Sequence, residues 1–312
     1  MTADVLVVAP ILTRQMTQLE ATYRLHRLDR AADRDAFLAE VGDRIEAIVT
    51  TGTAGASADV MGRLPNLKVV GCMAVGVDAV DLPYARSCGI AVTNTPDVLN
   101  DCVADTAMGL LIASMRKLVL SDRYVRDGSW VAKGPMPLTT SLRGKTLGIL
   151  GLGRIGMAIA RRAEPFGLTI VYHTRRKRDD VAYPWYADLV AMARDVDILL
   201  AILPGGPETR RIVSREVIEA LGPTGTFVNV ARGSVCDEPA LIEALASGKL
   251  GAAALDVFED EPRVPDALIR MDNVVLAPHV GSATVETRDA MSQLVVDNLA
   301  AHFAGRPLLT PV

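Results

Sequence analysis

The chain is predicted to be an α/β protein of two doubly wound parallel-sheet domains, and three observations carry that reading. Its 312 residues exceed what one hydrophobic core comfortably organises. Half of them are hydrophobic but only 4% are aromatic, a mix of small and branched residues that suits helices packed on buried parallel strands. Short β-branched runs alternate with longer segments of helical period, as they do in βαβ units.

Taken in order, strands are expected over residues 4–8, 45–50, 67–72 and 90–93. A stretch with few breakers then runs from Val98 to Val125, with an apolar stripe of Val103, Ala107, Leu110, Leu111 and Ser114. It reads as one long buried helix capped by Asn100 or Asp101. Residues 127–145, with several Gly and Pro, read as a loop that is functional or an arm to a partner. Trp130 within it wants an apolar surface, such as another subunit. A second series of strands is expected at 146–150, 168–172, 198–203, 226–229, 252–256 and 274–277. The last helix, 283–303, follows the completed sheet and is expected to return to the first domain. The expected division is residues 1–98 with 285–312, and residues 99–284.

A net charge of −4 offers no general attraction to nucleic acid or to an anionic membrane, so any basic site has to be local. Cys72, Cys88, Cys102 and Cys236 lie far apart, with no C-x-x-C and no histidine at ligand spacing; they read as reduced packing thiols, and no metal is expected. The opening MTADVLVVAP has no basic n-region and only a strand-length apolar run, so the expectation is a soluble cytoplasmic protein.

In TLGILGLGRIGMAIARRAEPFG, Gly151, Gly153 and Gly156 follow an apolar strand and open a helix. That context suits a dinucleotide: the first glycine for the tight turn, the second for close approach of a pyrophosphate, the third for helix–strand packing. Helix-start N–H groups would then face phosphate. Behind the turn, Ile155, Ile159, Ala163 and Phe166 recur at helical spacing toward the sheet, while Arg161 and Arg162 point away. The next strand ends in His173, Thr174, Arg175 and Arg176, where an NAD-selective site carries a carboxylate for the ribose hydroxyl. A hydroxyl and guanidinium groups receive a 2′-phosphate instead, which argues for NADP(H), with NAD(H) possible. The alternative is a solvated charge run, or a local patch for another anion.

The motifs AVGVDAVDL, NTPDVLNDCVADTAMGLL, GLGRIG, LPGGPETRRIVSREVIEAL, FVNVARGSVCDEPALIEAL, AALDVFEDEP and LAPHVGSATVETR occur in that order over most of the chain from about Leu67 onward. Together they resemble the D-isomer-specific 2-hydroxyacid dehydrogenases, nearest to their NADPH-preferring glyoxylate, hydroxypyruvate and hydroxyphenylpyruvate reductases. The resemblance implies a flavodoxin-like domain beside a Rossmann-like one, an active-site cleft between them, and a homodimer. It places the catalytic arginine, acid and histidine at Arg232, Glu261 and His279. It places the cofactor along Gly151, Leu152, Gly153, Arg154, Ile155 and Gly156, the strand end from His173 to Arg176, and Leu203, Pro204, Thr209, Val230, Ala231, Asp256 and Gly281. Backbone amides of Ala74, Val75 and Gly76 resemble a second carboxylate clasp, for which a plain strand-to-helix turn is the alternative.

The chemistry supports the same set. Reducing a 2-keto acid needs a cation for the carboxylate, a proton for the developing alkoxide and a positioned hydride. Arg232 supplies the first and His279 the second, with Glu261 holding the ring. Asp260, the neighbouring carboxylate, reads as a solvated turn residue, and Asp256 as a partner of the nicotinamide carboxamide, an aid to Arg232 or a strand cap. Expected pocket walls are Thr51, Thr53, Leu99 and Trp130. The leading reading is NADPH-dependent reduction of a small 2-keto acid, with a hydroxyphenylpyruvate-type substrate as an alternative. The rivals are a cofactor-sensing corepressor without turnover and a formate or phosphite dehydrogenase.

Overall fold

In the computed structural model, which describes residues 2–312, the chain divides into two compact units. One runs to Leu99 and resumes over Thr284–Val312; the other is Asn100–Ala283.

The first unit contains β1 (Asp4–Val7), α1 (Thr13–Thr22), β2 (Arg24–Arg27), α2 (Arg34–Val41), β3 (Ile45–Thr51), α3 (Ala58–Gly62), β4 (Val69–Met73), α4 (Leu82–Ser87) and β5 (Ala91–Thr93). The five strands pair in parallel in the order β2-β1-β3-β4-β5. Asp33, Ser57 and Asp81 cap the starts of α2, α3 and α4 with side-chain oxygens, satisfying amides that the helices leave open. Strand β2 was not expected. Its residues, Arg-Leu-His-Arg, hold one apolar side chain because it is an edge, and His26 Nε2 meets Asp4 Oδ1 of β1 at 2.6 Å.

The second unit begins with α5 (Asn100–Met115), α6 (Leu118–Arg126) and α7 (Ser129–Lys133). It continues through β6 (Thr146–Leu150), α8 (Arg154–Ala163), β7 (Thr169–His173), β8 (Trp185–Tyr186), α9 (Leu189–Asp195) and β9 (Ile198–Ala201). It closes with α10 (Arg215–Leu221), β10 (Thr226–Asn229), α11 (Glu238–Ser247), β11 (Ala252–Leu255), α12 (Asp266–Ile269) and β12 (Val274–Leu276). Its seven strands lie in the order β12-β11-β10-β9-β6-β7-β8, all parallel. The chain leaves β6 toward β7 on one side and returns to β9 on the other, so the carboxyl end of β6 is a topological switch point, where open α/β sheets bind ligands. The last helix, α13 (Val285–Phe303), belongs to the first unit and packs on β4, where a Cβ on Gly71 would come within 3.1 Å of Val295.

Three expectations need correction. The long helix breaks at Lys117, which takes a left-handed φ of 49°. Five of the expected stripe residues are buried on α5, but α6 buries none, leaving Leu118, Val119 and Val125 exposed. An unbroken apolar period in the sequence therefore hides a change of direction. The loop at 127–145 is not wholly irregular, since α7 forms within it. Phe166, expected toward the sheet, lies in a 3-10 turn after α8 and is 46% exposed; Ile159 and Ala163 are fully buried as expected.

Candidate active site

The switch point carries the glycine turn. Gly151 has a φ of 102°, and a Cβ there would lie 2.2 Å from the Ile202 carbonyl oxygen, so only glycine fits. A Cβ on Gly156 would meet the Gly151 carbonyl oxygen at 2.3 Å, which lets α8 lie close to β6. Gly153 differs: it is exposed, and nothing lies within 4 Å of its missing Cβ. Gly153 at the N-cap brings no side chain to the first turn of α8, so the amide end of the helix opens onto this turn. An open cradle at the amide end of a helix fits a pyrophosphate. Leu152 is buried behind it, while Arg154 is exposed and Ile155 half-buried.

Strand β7 ends beside this turn. His173 Nδ1 binds the Tyr186 carbonyl at 2.9 Å, and Trp185 Nε1 donates to the Thr174 carbonyl at 3.1 Å, so the two-residue strand β8 braces the strand end. Arg175 and Arg176 are exposed. Arg175 pairs with Glu208 at 2.7 Å, a carboxylate the sequence reading did not single out. Arg178 turns inward, donating to the Leu152 carbonyl and pairing with Asp180, and so ties the basic run to the glycine turn. On the other side of β6, Thr209 Oγ1 donates to the Pro204 carbonyl at 2.8 Å and closes the loop after Leu203.

The triad residues leave three adjacent strands. Asn229, Leu255 and Leu276 stand opposite one another at the carboxyl ends of β10, β11 and β12, so Arg232, Asp256 and His279 follow side by side. His279 Nδ1 donates to Glu261 Oε2 at 2.7 Å, and the Phe258 N–H donates to Glu261 Oε1 at 3.1 Å. With Nδ1 held by the carboxylate, Nε2 is the ring nitrogen left to a substrate. Burial pushes the Glu261 carboxyl up, but the His279 and Phe258 hydrogen bonds and the charges of His279 and Arg232 outweigh it, and the group lies below the ordinary glutamate range. Arg232 is thus close enough to act on Glu261 electrostatically. Its own Nη1 donates to the Ala231 carbonyl at 2.7 Å.

The supports of this set were only partly foreseen. Asp256, 2% exposed, accepts the N–H of Val280 at 2.7 Å and of Gly281 at 2.8 Å, and its carbonyl accepts the His279 N–H at 2.8 Å. These three bonds hold His279 in a left-handed backbone with φ 54°. Burial raises the Asp256 carboxyl above its ordinary value despite the two N–H donors. Asn229, 1% exposed, accepts the Ala231 N–H and donates to the Arg232 carbonyl, both at 3.1 Å. A Cβ on Gly233 would lie 1.9 Å from the Phe258 carbonyl carbon, which packs the Arg232 turn onto the segment leading to Glu261. Asn229 and Gly233 were missed, although both sit in the motif that identified Arg232. Val230 and Ala231 are buried, and Asp260 is exposed and paired with Arg263.

Ala74, Val75 and Gly76 belong to the first unit, in the turn after β4. The Ala74 N–H donates to the Cys72 carbonyl at 2.9 Å, so it is the one of the three expected amides already engaged. A Cβ on Gly52 would lie 2.6 Å from Ala74 Cβ, so the turn after β3 packs tightly on this one. In the same unit Thr51 is half-buried, Thr53 exposed and Leu99 only 4% exposed; in the second, Trp130 is 60% exposed. Among the described residues no cluster of metal-ligating side chains occurs, and no helix is long and apolar enough to cross a membrane.

Comparison with known proteins places these features. Residues 108–281 match the family described as D-isomer specific 2-hydroxyacid dehydrogenase, NAD binding domain. The chain is 49% identical over 309 residues to a hydroxyphenylpyruvate reductase of Plectranthus scutellarioides, covering 99% of this chain and 98% of the relative. It is 49% identical over 308 residues to glyoxylate/hydroxypyruvate reductase A of Arabidopsis thaliana, with the same coverage. A crystal structure of the NADPH-dependent glyoxylate/hydroxypyruvate reductase of Sinorhizobium meliloti, in complex with NADP and malonate, superposes with a TM-score of 0.95 at 46% identity, covering 100% of this chain and 97% of that one.

Proposed function

The chain belongs to the D-isomer specific 2-hydroxyacid dehydrogenase family, and on that premise we propose that it is an NADPH-dependent reductase of small 2-keto acids, of the glyoxylate or hydroxypyruvate type, giving D-2-hydroxy acids. The observation that carries this reading is the 2.7 Å His279–Glu261 bond, set beside Arg232 at the carboxyl ends of neighbouring strands. When bound, the reduced nicotinamide supplies hydride to the substrate C2 carbon. Arg232 anchors the substrate carboxylate and polarises the ketone. Protonated His279 donates its Nε2 proton to the developing alkoxide, and Glu261 holds the ring in place through Nδ1. Asp256 holds the His279 turn and keeps lone pairs for the nicotinamide carboxamide.

The cofactor runs along Gly151 to Gly156, with the 2′-phosphate on Thr174, Arg175 and Arg176. The NADP complex of the Sinorhizobium meliloti relative supports the choice of coenzyme. Replacing both Arg175 and Arg176 by alanine should raise KM for NADPH about 10- to 100-fold, the loss of charge-assisted bonds to a phosphate, and leave KM for NADH nearly unchanged. Equal losses for the two coenzymes would remove the assignment.

The pH dependence has a defined sign. Because the Glu261 carboxyl is held low, its pairing with His279 is at full strength above the ordinary glutamate range and is lost only as pH falls through the lowered value. Keto-acid reduction should therefore fall on the acid side, below the ordinary glutamate range, as Glu261 takes up a proton and releases the His279 ring. In Glu261→Gln kcat/KM should be lower at every pH and that acid limb should be gone; an unmoved limb would show that Glu261 is not its source.

The relative named hydroxyphenylpyruvate reductase favours an aromatic substrate as the second reading. Initial rates of NADPH and NADH oxidation on glyoxylate, hydroxypyruvate and 4-hydroxyphenylpyruvate decide between them. Highest kcat/KM on the two small acids supports the proposal, highest on the aromatic acid supports the second reading, and no turnover on any supports a cofactor-sensing role. We further propose a homodimer built on the 118–138 segment, where Leu118, Val119, Val125, Trp130, Val131 and Leu138 are exposed.

A further inference from the structure

Two consecutive amides in the segment leading to Glu261 end on carboxylates. The Phe258 N–H donates to Glu261 itself, and the Glu259 N–H donates to Glu238 Oε2 at 3.1 Å. Glu238 is the first residue of α11 and is none of the residues assigned to catalysis, coenzyme or substrate. It does not cap its own helix: Asp237 accepts the Ala240 N–H, and Glu238 reaches outside the helix instead. Glu238 is half-buried, and burial raises its carboxyl above the ordinary value, with the charges of Glu259 and Asp260 adding to the rise against the Glu259 N–H. What the position uses is therefore an acceptor oxygen rather than a charge.

Other parts of the site converge on the peptide that Glu238 holds. A Cβ on Gly233, next to Arg232, would lie 2.4 Å from the Glu259 nitrogen, so the Arg232 turn rests on it. The Glu259 carboxylate accepts from Arg210 Nη2 at 3.0 Å and from Arg211 Nη2 at 3.5 Å, on the loop that carries Thr209. The start of α11 is itself braced: the Arg211 N–H donates to the Ser234 carbonyl at 2.8 Å, and the Asp237 N–H to the Val213 carbonyl at 3.0 Å. Glu238 thus reaches from a fixed helix start to the peptide beside the Phe258–Glu261 bond.

We propose that Glu238 is a positioning residue for the proton donor: by holding the Glu259 N–H it fixes the 258–261 turn, and with it the Glu261 carboxylate against His279 Nδ1. It acts through Glu261, as outer hydrogen bonds orient the groups that do the chemistry. The placement of Glu261 rests on geometry alone, and its consequence for turnover rests on the reductase reading given above.

The test compares three substitutions in the full chain. Glu238→Gln keeps an acceptor oxygen and gives up the charge, Glu238→Asp keeps the charge on a side chain one methylene shorter, and Glu238→Ala gives up both. With hydroxypyruvate and NADPH, Glu238→Ala and Glu238→Asp should lower kcat about tenfold, a part of the ~100-fold that a misplacement of 1 Å costs, while KM for hydroxypyruvate and Kd for NADPH change less than about threefold. Glu238→Gln should stay within about twofold of the wild type. In the Glu261→Gln background, Glu238→Ala should cost no further kcat, because the group it places is already gone. Amide exchange of Phe258, followed by NMR with NADP+ bound, should be faster in Glu238→Ala and Glu238→Asp and unchanged in Glu238→Gln. A wild type without keto-acid turnover would end the reductase reading, and Phe258 exchange would still decide the positioning. Wild-type Phe258 exchange in both Glu238→Ala and Glu238→Asp, a glutamine variant as impaired as alanine, or an equal loss of kcat in the Glu261→Gln background would each overturn the proposal.

Discussion

Replacing His279 by alanine is expected to lower kcat for keto-acid reduction roughly 100- to 10,000-fold, the range supplied by a positioned general acid. The Kd for NADPH should stay near the wild-type value, because the glycine turn and the basic strand end do not depend on the imidazole. Steady-state rates with fluorescence titration of NADPH check both halves. The effect is large because Nδ1 is already committed to Glu261 at 2.7 Å and the backbone of His279 is fixed by Asp256, so no neighbouring group is held in place to replace the proton donor. Near-normal turnover in His279→Ala would remove it from the chemistry.

Arg232→Gln is expected to lower kcat/KM roughly 100- to 1,000-fold, the scale for losing one preorganised electrostatic donor. The loss should appear in both parameters: KM rises because the substrate carboxylate loses its cation, and kcat falls because the developing alkoxide loses a polarising charge. Asn229 and Gly233 sharpen this prediction. Asn229 braces the Arg232 turn at both ends, and Gly233 leaves no room for a Cβ against Phe258, so the guanidinium leaves a fixed backbone. Steady-state kinetics on hydroxypyruvate measures the split; a change in KM alone would make Arg232 an anchor only.

The two-domain α/β plan was legible because parallel strands buried on both faces read as unbroken apolar runs. The runs at 146–150, 198–203 and 226–229 correspond to β6, β9 and β10 for that reason. The edge strands β5 and β12 still show short apolar runs, at 90–93 and 274–277, but the other two edges do not. In β2 and β8 one side has no partner strand, and Arg24–Arg27 and Trp185–Tyr186 show no period to read. The break at Lys117 was hidden because apolar residues on α6 continue the spacing of α5 while facing outward. Single residues whose chemistry needs a particular type, such as Gly151, Arg232 and His279, stood out by motif. Asp256 was visible, but its hold on Val280 and Gly281 was not, because a side-chain bond to backbone 24 residues away leaves no local pattern. Glu208 was overlooked because its partner Arg175 lies 33 residues away in sequence.

Arg232, Glu261 and His279 are proposed to serve direct hydride transfer to the C2 carbon of a keto acid. The most direct measurement is the fate of deuterium from NADPH labelled at the transferred position of the nicotinamide, with hydroxypyruvate as acceptor. The expected product is D-glycerate carrying deuterium at C2, one label for each NADPH oxidised. Unlabelled glycerate, the L isomer, or no oxidation of NADPH would contradict it.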